Sequence, residues 1–197
     1  TARAYATSIG NATYGLFAGG KYTTTNLTSI DKYTYSSDTF SLESSKISTS
    51  LVNGCAFGDA TYGLLTFGTI TTLGPRDTRY CKYTYSTSGS VNSWFYDVYF
   101  NGNNAATSSG PTYGLIVGGN SGGGRGGSTS AYNSISKHVF GTSVSITELA
   151  TTIGTAASYV GGSGNSTAGY FFNGVGSTGS NVFATRKYNY TTETLSN

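Results

Sequence analysis

The chain has 197 residues, of which 29 are glycine, 17 are tyrosine and only 10% are charged. One domain accounts for that length, and the composition excludes a protein built from charged, solvated helices. The formal net charge is +3 and the basic residues form no run, so the footprint of a nucleic-acid-binding protein is missing. No apolar run is long enough to span a bilayer, and we expect neither nucleic acid as a partner nor membrane insertion.

One phrase of eight residues recurs four times along the chain. The four copies are TYGLFAGG from Thr13, TYGLLTFG from Thr61, TYGLIVGG from Thr112 and a degenerate copy, GYFFNGVG, from Gly169. In this alignment the leading tyrosines are 48 (14 to 62), 51 (62 to 113) and 57 (113 to 170) residues apart. Self-similarity at about 50 residues predicts propeller blades or a solenoid.

The first half of each repeat predicts two strands. Strand a is expected at 2–9 in the first repeat and at 51–57 in the second. Strand b is a short, dense apolar run, as in a central strand that is buried on both faces. We expect it at Tyr14–Ala18, Tyr62–Thr66, Tyr113–Val117 and 170–173. A glycine that suits positive φ or a close backbone approach follows each leading tyrosine by six residues: Gly20, Gly68, Gly119 and Gly176.

A second, tyrosine-rich phrase completes each repeat. Its alternation places Tyr33 and Tyr35 on one face of strand c and Lys32 on the other. The lysine recurs in every repeat, as Lys32, Lys82, Lys137 and Lys187. A turn that contains Asp38 or Glu193 leads to an outer strand d. This strand is marked by Phe40, Leu42, Val91, Ile146 and Leu195.

These elements predict an all-β fold in which one β-propeller region fills 1–197 with four four-stranded antiparallel blades. The blades are expected at about 1–47, 48–99, 100–151 and 152–197. The chain opens on strand a and ends on strand d, so no blade is completed by strands from both termini. Either four blades close by packing alone or this is part of a larger propeller, and we favour the larger propeller.

The two cysteines are predicted to be free thiols. The repeat places Cys55 on strand a and Cys81 on strand c of the second blade, with the Tyr62 strand between them. Strands two apart in a sheet are separated by about twice 4.8 Å, which is beyond disulfide reach. We expect both cysteines to be buried as small apolar residues.

Residues for catalysis or metal binding are scarce. The one histidine, His138, stands where other repeats have Tyr33, Tyr83 and Tyr188, so we interpret it as a packing residue. One histidine and two separated cysteines do not form a metal cluster, and we predict neither a metal nor a cofactor. The glycine-rich stretch 120–130 lacks the GK[ST] ending of a phosphate-binding loop, so we interpret it as a long b–c loop.

The carboxylates do not define a catalytic pair. Most of them have a structural explanation in the repeat, which leaves Asp77, Asp97 and Glu148 without one. Three scattered residues are too few to support glycoside hydrolysis by paired carboxylates, and we expect no enzymatic activity.

The connections between strands differ most between the repeats. In an antiparallel blade the b–c loops and the d–a connections lie at the same end, where exposed rings can stack on sugars while short polar groups bond hydroxyls. The alternative for Trp94 is that it fills the outer strand. The candidate binding residues are Tyr22, Asn26, Arg76, Asp77 and Arg125 in the b–c loops and Trp94, Tyr96 and Asp97 in the second d–a connection.

The two phrases resemble a known repeat. A double glycine that closes an apolar strand, followed by a tyrosine-rich strand and an outer-strand aromatic, looks like the kelch pattern. The run ARAYATSIGNATYGLFAGG from Ala2, followed by IDKYTYSSDTFS, resembles the kelch-like repeats of tail-fibre and other virion proteins of tailed bacteriophages. The resemblance covers essentially the whole chain. The double glycine is intact only at 19–20 and 118–119, and other residues replace the outer-strand tryptophan of kelch repeats.

The resemblance implies a propeller module of a phage tail fibre or related appendage, located in the virion and extracellular. We expect a non-enzymatic structural and receptor-binding module. Its partners would be other virion proteins or copies of itself, and a glycan or protein of the host cell surface. The alternatives are a secreted bacterial lectin or adhesin and a polysaccharide-degrading propeller enzyme. A flanking shaft would indicate the first, a signal peptide the second and activity on polysaccharide the third.

Overall fold

The backbone is organised as short strands joined by turns. The computed structural model describes residues 2–47, 50, 52–66, 68, 80–87, 104–120, 131–141, 146–172, 174–176, 178–181 and 185–197. Within these ranges it contains one turn of 3-10 helix, Tyr85–Thr87, and no α-helix. All strand pairs there are antiparallel. The predicted all-β class is therefore confirmed.

Four sheets follow one another along the chain, and the strands of each are ordered as in the sequence. Sheet I consists of β1 (Thr7–Gly10), β2 (Tyr14–Ala18), β5 (Ser29–Thr34) and β6 (Thr39–Lys46), and a hairpin of β3 (Lys21–Tyr22) and β4 (Thr25–Asn26) lies in its b–c connection. Sheet II consists of β7 (Ala56–Gly58), β8 (Tyr62–Thr66) and β9 (Tyr80–Thr84). Sheet III consists of β10 (Ala106–Ser109), β11 (Tyr113–Val117), β12 (Ser134–Val139) and β13 (Ile146–Thr152). Sheet IV consists of β14 (Gly161–Gly164), β15 (Ala168–Phe172), β16 (Thr185–Asn189) and β17 (Thr194–Ser196).

The predicted strand b is confirmed at its stated bounds in the first three repeats. The predicted strand a, at 2–9 and 51–57, is wrong in extent, since the strands are Thr7–Gly10 and Ala56–Gly58. The reason is a residue with positive φ upstream of each strand, Tyr5 and Asn53, because a left-handed backbone cannot continue an extended strand. The outer strand expected at Val91 lies outside the described residues.

The fourth repeat has a different register from the predicted one. Strand b is Ala168–Phe172, not 170–173. Tyr170 pairs with Lys187 as Leu16 pairs with Lys32, so Tyr170 is not the leading tyrosine. Ala168 holds that position instead.

The turn before strand b sets this register. The Asn165 Oδ1 accepts hydrogen bonds from the Thr167 and Ala168 amides, at 2.8 and 3.0 Å. The Asn11 Oδ1 accepts the same two bonds from the Thr13 and Tyr14 amides, as in an Asx turn. Matching tyrosine to tyrosine in the sequence therefore shifted the fourth repeat by two residues.

Each sheet has two faces. We call the face with the first and third residues of strand b (Tyr14 and Leu16 in sheet I) the front face, and the face with the second and fourth (Gly15 and Phe17) the back face. The front face of each sheet packs on the back face of the next, which gives three apolar clusters, between I and II, II and III, and III and IV. No described strand of sheet IV has an extensive contact with a strand of sheet I.

A glycine on the back face lets the sheets approach closely. The second residue of strand b is glycine in every repeat, and in sheets II to IV a side chain from strand a of the preceding sheet covers it. A Cβ on Gly63 would lie 2.7 Å from the Ile9 Cγ1, one on Gly114 2.2 Å from the Phe57 Cδ2, and one on Gly169 2.8 Å from the Ser108 Oγ. Only glycine leaves room for this packing.

A tyrosine joins each front face to the next back face. The Tyr14 hydroxyl donates to the Tyr85 carbonyl at 3.0 Å, and the two rings meet edge to face with centroids 5.8 Å apart. Tyr113 does the same with Tyr190, at 2.7 and 5.3 Å. Burial raises the pKa of the Tyr14 and Tyr113 phenols, so both remain protonated donors. We call this contact the tyrosine latch.

Between sheets II and III the latch takes a modified form. The Tyr62 ring meets Phe140 edge to face at 5.9 Å, while its hydroxyl lies 3.2 Å from the His138 Nε2. His138 is fully buried, in the position of Tyr83 and Tyr188, opposite the strand-b glycine. The interpretation of His138 as a packing residue is confirmed.

The recurring lysine is explained by the latch tyrosine. On the front face of three sheets the lysine ammonium lies over the tyrosine ring, in a cation–π contact. The Nζ-to-centroid distances are 4.3 Å for Lys32 and Tyr14, 3.9 Å for Lys82 and Tyr62, and 4.3 Å for Lys137 and Tyr113. In the fourth repeat Ala168 takes the place of the tyrosine, so this position has no ring for Lys187 to contact.

Both cysteines are free and buried, as predicted. Cys81 lies in the cluster between sheets I and II, and Cys55, one residue before β7, lies in the cluster between II and III. Burial raises the pKa of each thiol to about 12. Neither is therefore a thiolate near neutral pH.

Gly114→Ala is expected to lower the free energy of unfolding by about 1–3 kcal/mol, because the added methyl group meets the buried Phe57 ring. The matched control is Gly15→Ala, where the nearest atom is the Tyr35 hydroxyl at 3.1 Å and we expect a change within about 0.5 kcal/mol. Urea unfolding followed by circular dichroism measures both. Equal losses in the two variants would contradict the packing role of the glycine.

The two thiols are expected to resist alkylation by iodoacetamide at pH 8 in the folded protein and to react once urea unfolds it. The folded-state pKa of about 12 keeps the thiols protonated, and burial blocks access. Mass spectrometry counts the adducts. The thiols ionise at a lower pH in the unfolded chain than in the folded protein. Each cysteine is therefore also expected to lower the free energy of unfolding as the pH rises from about 9 towards 12. Rapid double alkylation of folded protein would show that the sheets open readily.

Candidate functional site

One residue in each repeat adopts a left-handed backbone conformation just before strand a. The φ values of Tyr5, Asn53, Asn104 and Tyr159 are 58°, 56°, 55° and 56°. Each residue lies nine positions before the first residue of strand b (5 to 14, 53 to 62, 104 to 113, 159 to 168). Such φ values are uncommon outside glycine, and asparagine tolerates them better than tyrosine.

Backbone hydrogen bonds connect these four residues across the sheets. The Asn53 amide donates to the Tyr5 carbonyl at 3.2 Å, the Asn104 amide to the Asn53 carbonyl at 3.0 Å, and the Tyr159 amide to the Asn104 carbonyl at 2.8 Å. We call this chain of residues the rim row. Backbones joined in this way lie about 4.8 Å apart, so the row spans at most about 15 Å.

The two tyrosines of the rim row are largely exposed. Tyr5 is 63% and Tyr159 64% accessible, while Asn53 and Asn104 between them are half-buried. The backbone is fixed by hydrogen bonds that continue from sheet to sheet, so the rings stand on a rigid support. The row combines two exposed aromatic rings with two amides.

In sheets I and IV the b–c connection lies at the same end of the sheet as the rim row, as predicted. Ala4 and Lys21 exchange two backbone hydrogen bonds, at 2.9 and 2.8 Å, immediately before Tyr5. Ser158 and Val175 do the same before Tyr159, at 2.9 and 2.7 Å. In these two sheets the described b–c residues and the rim row therefore form one continuous surface.

Two of the eight candidate binding residues lie on this surface. Tyr22 and Asn26 stand on the β3–β4 hairpin, where Tyr22 pairs with Thr25 and Asn26 with Lys21. Tyr22 is 51% exposed and Asn26 is half-buried. The other six lie outside the described residues, and their roles stay predictions: Arg76, Asp77, Trp94, Tyr96, Asp97 and Arg125.

The rim row was missed by the sequence analysis. The signal was present as a tyrosine or asparagine nine residues before strand b in each repeat. The predicted strand a runs through this position in the first two repeats, and the predicted register of the fourth repeat is two residues out, so neither predicts a common left-handed residue.

The acidic residues next to the strands have structural partners. The Asp31 carboxylate lies 2.8 Å from the Arg3 guanidinium, and the Glu43 carboxylate lies 3.3 Å from the Lys32 ammonium. Asp59 accepts the Thr61 and Tyr62 amides in the a–b turn. Within the described ranges, no group of three His, Cys, Asp or Glu side chains could hold a metal ion. In the same ranges no helix could span a membrane.

Comparisons with known proteins give a fold and no family. No protein-family model matches the chain, and no curated protein matches it. Among solved structures 157 chains match, so the architecture is a recurrent one. One of them is the structure of YjhT, with a TM-score of 0.61 and 11% sequence identity, covering 99% of this chain and 84% of the YjhT chain. At that identity the likeness shows the fold alone.

Tyr5→Asn is expected to leave the free energy of unfolding within about 0.5 kcal/mol of the wild-type value, because asparagine holds the same left-handed position at 53 and 104. Tyr5→Val should lower it by about 1–2 kcal/mol, since a β-branched residue resists positive φ. Thermal unfolding of the two variants tests this. A stable valine variant would mean that the rim row tolerates another backbone conformation.

Proposed function

We propose that this chain is a non-enzymatic binding module whose rim row and β3–β4 hairpin bind a glycan or protein of a host cell surface. We further propose that its sheets are kelch-like blades of a β-propeller in a phage tail fibre or related virion appendage. The observation that carries the binding proposal is the pair of exposed tyrosines, Tyr5 and Tyr159, on a hydrogen-bonded row of four left-handed residues.

The propeller interpretation is supported by the way the sheets repeat. Three four-stranded sheets and the three described strands of sheet II pack front face to back face in chain order. The strand-b glycine recurs at each interface, and the latch recurs with a modified form between sheets II and III. Radial repetition of short antiparallel sheets is how propellers are built. The rim row would then run around the axis of the propeller.

The chemistry of the surface favours a carbohydrate ligand. Exposed tyrosine rings offer apolar faces for stacking against sugar rings, and asparagine side chains both donate to and accept from hydroxyl groups. Tyr22 and Asn26 repeat this combination beside the row. A row of at most about 15 Å suits an oligosaccharide better than a single ion. Several copies in one appendage would add avidity to weak single sites.

The virion setting rests on the resemblance of the repeat to phage kelch-like sequences. The same surface would serve a secreted bacterial lectin or adhesin, since the two differ in context and not in binding chemistry. The rim row does not favour a polysaccharide-degrading enzyme, because its four residues include no pair of carboxylates.

Binding to immobilised bacterial lipopolysaccharides and capsular polysaccharides tests the proposal. The wild-type chain should bind a subset of them. The Tyr5→Asn and Tyr159→Asn double variant should bind the same polysaccharide about tenfold or more weakly, because each lost stacking contact is worth about 0.5–1.5 kcal/mol. Biolayer interferometry measures both affinities.

The control is Val139→Asn, which removes an apolar side chain that is 41% exposed at the end of β12, next to the c–d turn of sheet III. This position lies at the opposite end of the strands and away from the outer faces of sheets I and IV. It should leave polysaccharide binding unchanged. Binding that survives the double rim variant, or that falls equally with the control, would refute the rim row as the binding site. If the polysaccharide became shorter during the assay, the chain would be a polysaccharide-degrading enzyme and not a non-enzymatic binding module.

A further inference from the structure

The back face of sheet I is built like the buried back faces but is not covered. The fourth residue of strand b is 1% exposed at Leu65 and Ile116 and 2% exposed at Phe171, yet 38% exposed at Phe17. Tyr35 is 50% exposed where its equivalents Tyr85 and Tyr190 are 7% and 6% exposed. The outer strand adds two further exposed apolar side chains, Phe40 at 67% and Leu42 at 64%. A concavity of about 400 Å³ lies between Asp31 and this strand.

Gly15 shows what kind of surface would cover this face. Its equivalents, Gly63, Gly114 and Gly169, each lie under a strand-a side chain of the preceding sheet. The three atoms nearest to a Cβ on Gly15 all belong to Tyr35 of the same sheet, and the nearest is its hydroxyl oxygen at 3.1 Å. The back face of sheet I therefore has the same opening for a strand-a side chain, and a front face of the same repeat fits it.

The front face of sheet IV is the other half of such an interface. Its strand-a residue Ser163 corresponds to Ser108, which covers Gly169 between sheets III and IV. Phe172 is 40% exposed, and Lys187 is exposed. Ala168 stands in place of the latch tyrosine, so an interface formed by this face lacks one phenol bond and is weaker than the three internal ones.

Charge also matches between the two uncovered faces. Between sheets III and IV, the front-face lysine Lys137 pairs with Glu193 of the next sheet. Glu193 and Asp38 hold the same place in the c–d turn, with φ values of 53° and 54°. Lys187 and Asp38 are thus the equivalents of Lys137 and Glu193 on the two uncovered faces.

We propose that a second copy of this chain docks head to tail, with the front face of sheet IV on the back face of sheet I of the next copy. Lys187 pairs with Asp38, Ser163 covers Gly15, and the Tyr5 amide donates to the Tyr159 carbonyl, which extends the rim row. The contact is heterologous, so it forms a closed ring or an open filament. The contact uses the two outer faces of the four sheets, and the proposal holds whether or not the rim row binds a glycan.

Sedimentation velocity over a range of protein concentrations tests the proposal with a charge swap. The wild type should self-associate. Lys187→Asp or Asp38→Lys alone should raise the dissociation constant about tenfold, because each places like charges opposite one another. The double variant with both substitutions should restore association. Asp38→Asn, which keeps a residue suited to the left-handed turn, should weaken association less than Asp38→Lys.

The control is Glu148→Lys, which makes the same change of charge as Asp38→Lys at an exposed position on β13 of sheet III. It should associate like the wild type. A wild-type chain that stays monomeric at all concentrations would refute the proposal. So would association that neither single charge reversal weakens, or association that the double variant does not restore. A monomer whose melting temperature falls with each reversal and recovers in the swap would show that the two faces meet within one chain, which also overturns the second copy as occupant.

Discussion

The structure depends on how closely one sheet can approach the next. At each interface a glycine in strand b leaves room for a strand-a side chain of the preceding sheet, at distances that no Cβ could share. That approach brings the front-face tyrosine within reach of the next sheet. There its hydroxyl donates to a backbone carbonyl, and its ring packs edge to face against a second tyrosine. A single repeat cannot bury its apolar faces by itself, so the sheets gain stability from this repeated contact.

The same contact accounts for the lysine of three repeats and for the single histidine. The recurring lysine lies over the latch tyrosine, and the single histidine replaces a buried tyrosine. Both belong to the interface between sheets. The residues that the interfaces do not use are then more informative. Tyr5 and Tyr159 are exposed at one end of the strands, and the back face of sheet I is uncovered although it has the composition of a buried face.

The repeat also separates the proposed binding surface from the proposed assembly surface. The rim row follows the direction in which sheets are added, because each new sheet contributes one left-handed residue and one backbone hydrogen bond. Head-to-tail docking would lengthen this row without covering it. A module of this kind can increase the number of binding positions by association alone, and avidity then grows without any change in the single site.

The sequence by itself determined the number of repeats, the all-β class, the bounds of strand b in three repeats, and the free, buried cysteines. Those features follow from local patterns, namely alternation, glycine spacing and the distance between neighbouring strands. Only the tertiary structure decided the register of the fourth repeat, the end of strand a and the rim row. The register at Ala168 is set by the Asn165 turn and by the fit of Gly169 under Ser108. The positive φ of Tyr5 is held by hydrogen bonds at and next to it, with Asn53 and Lys21. The Asn165 turn is local and has equivalents at Asn11 and Asp59, but the other contacts join residues of different sheets or segments, which one repeat considered by itself does not contain.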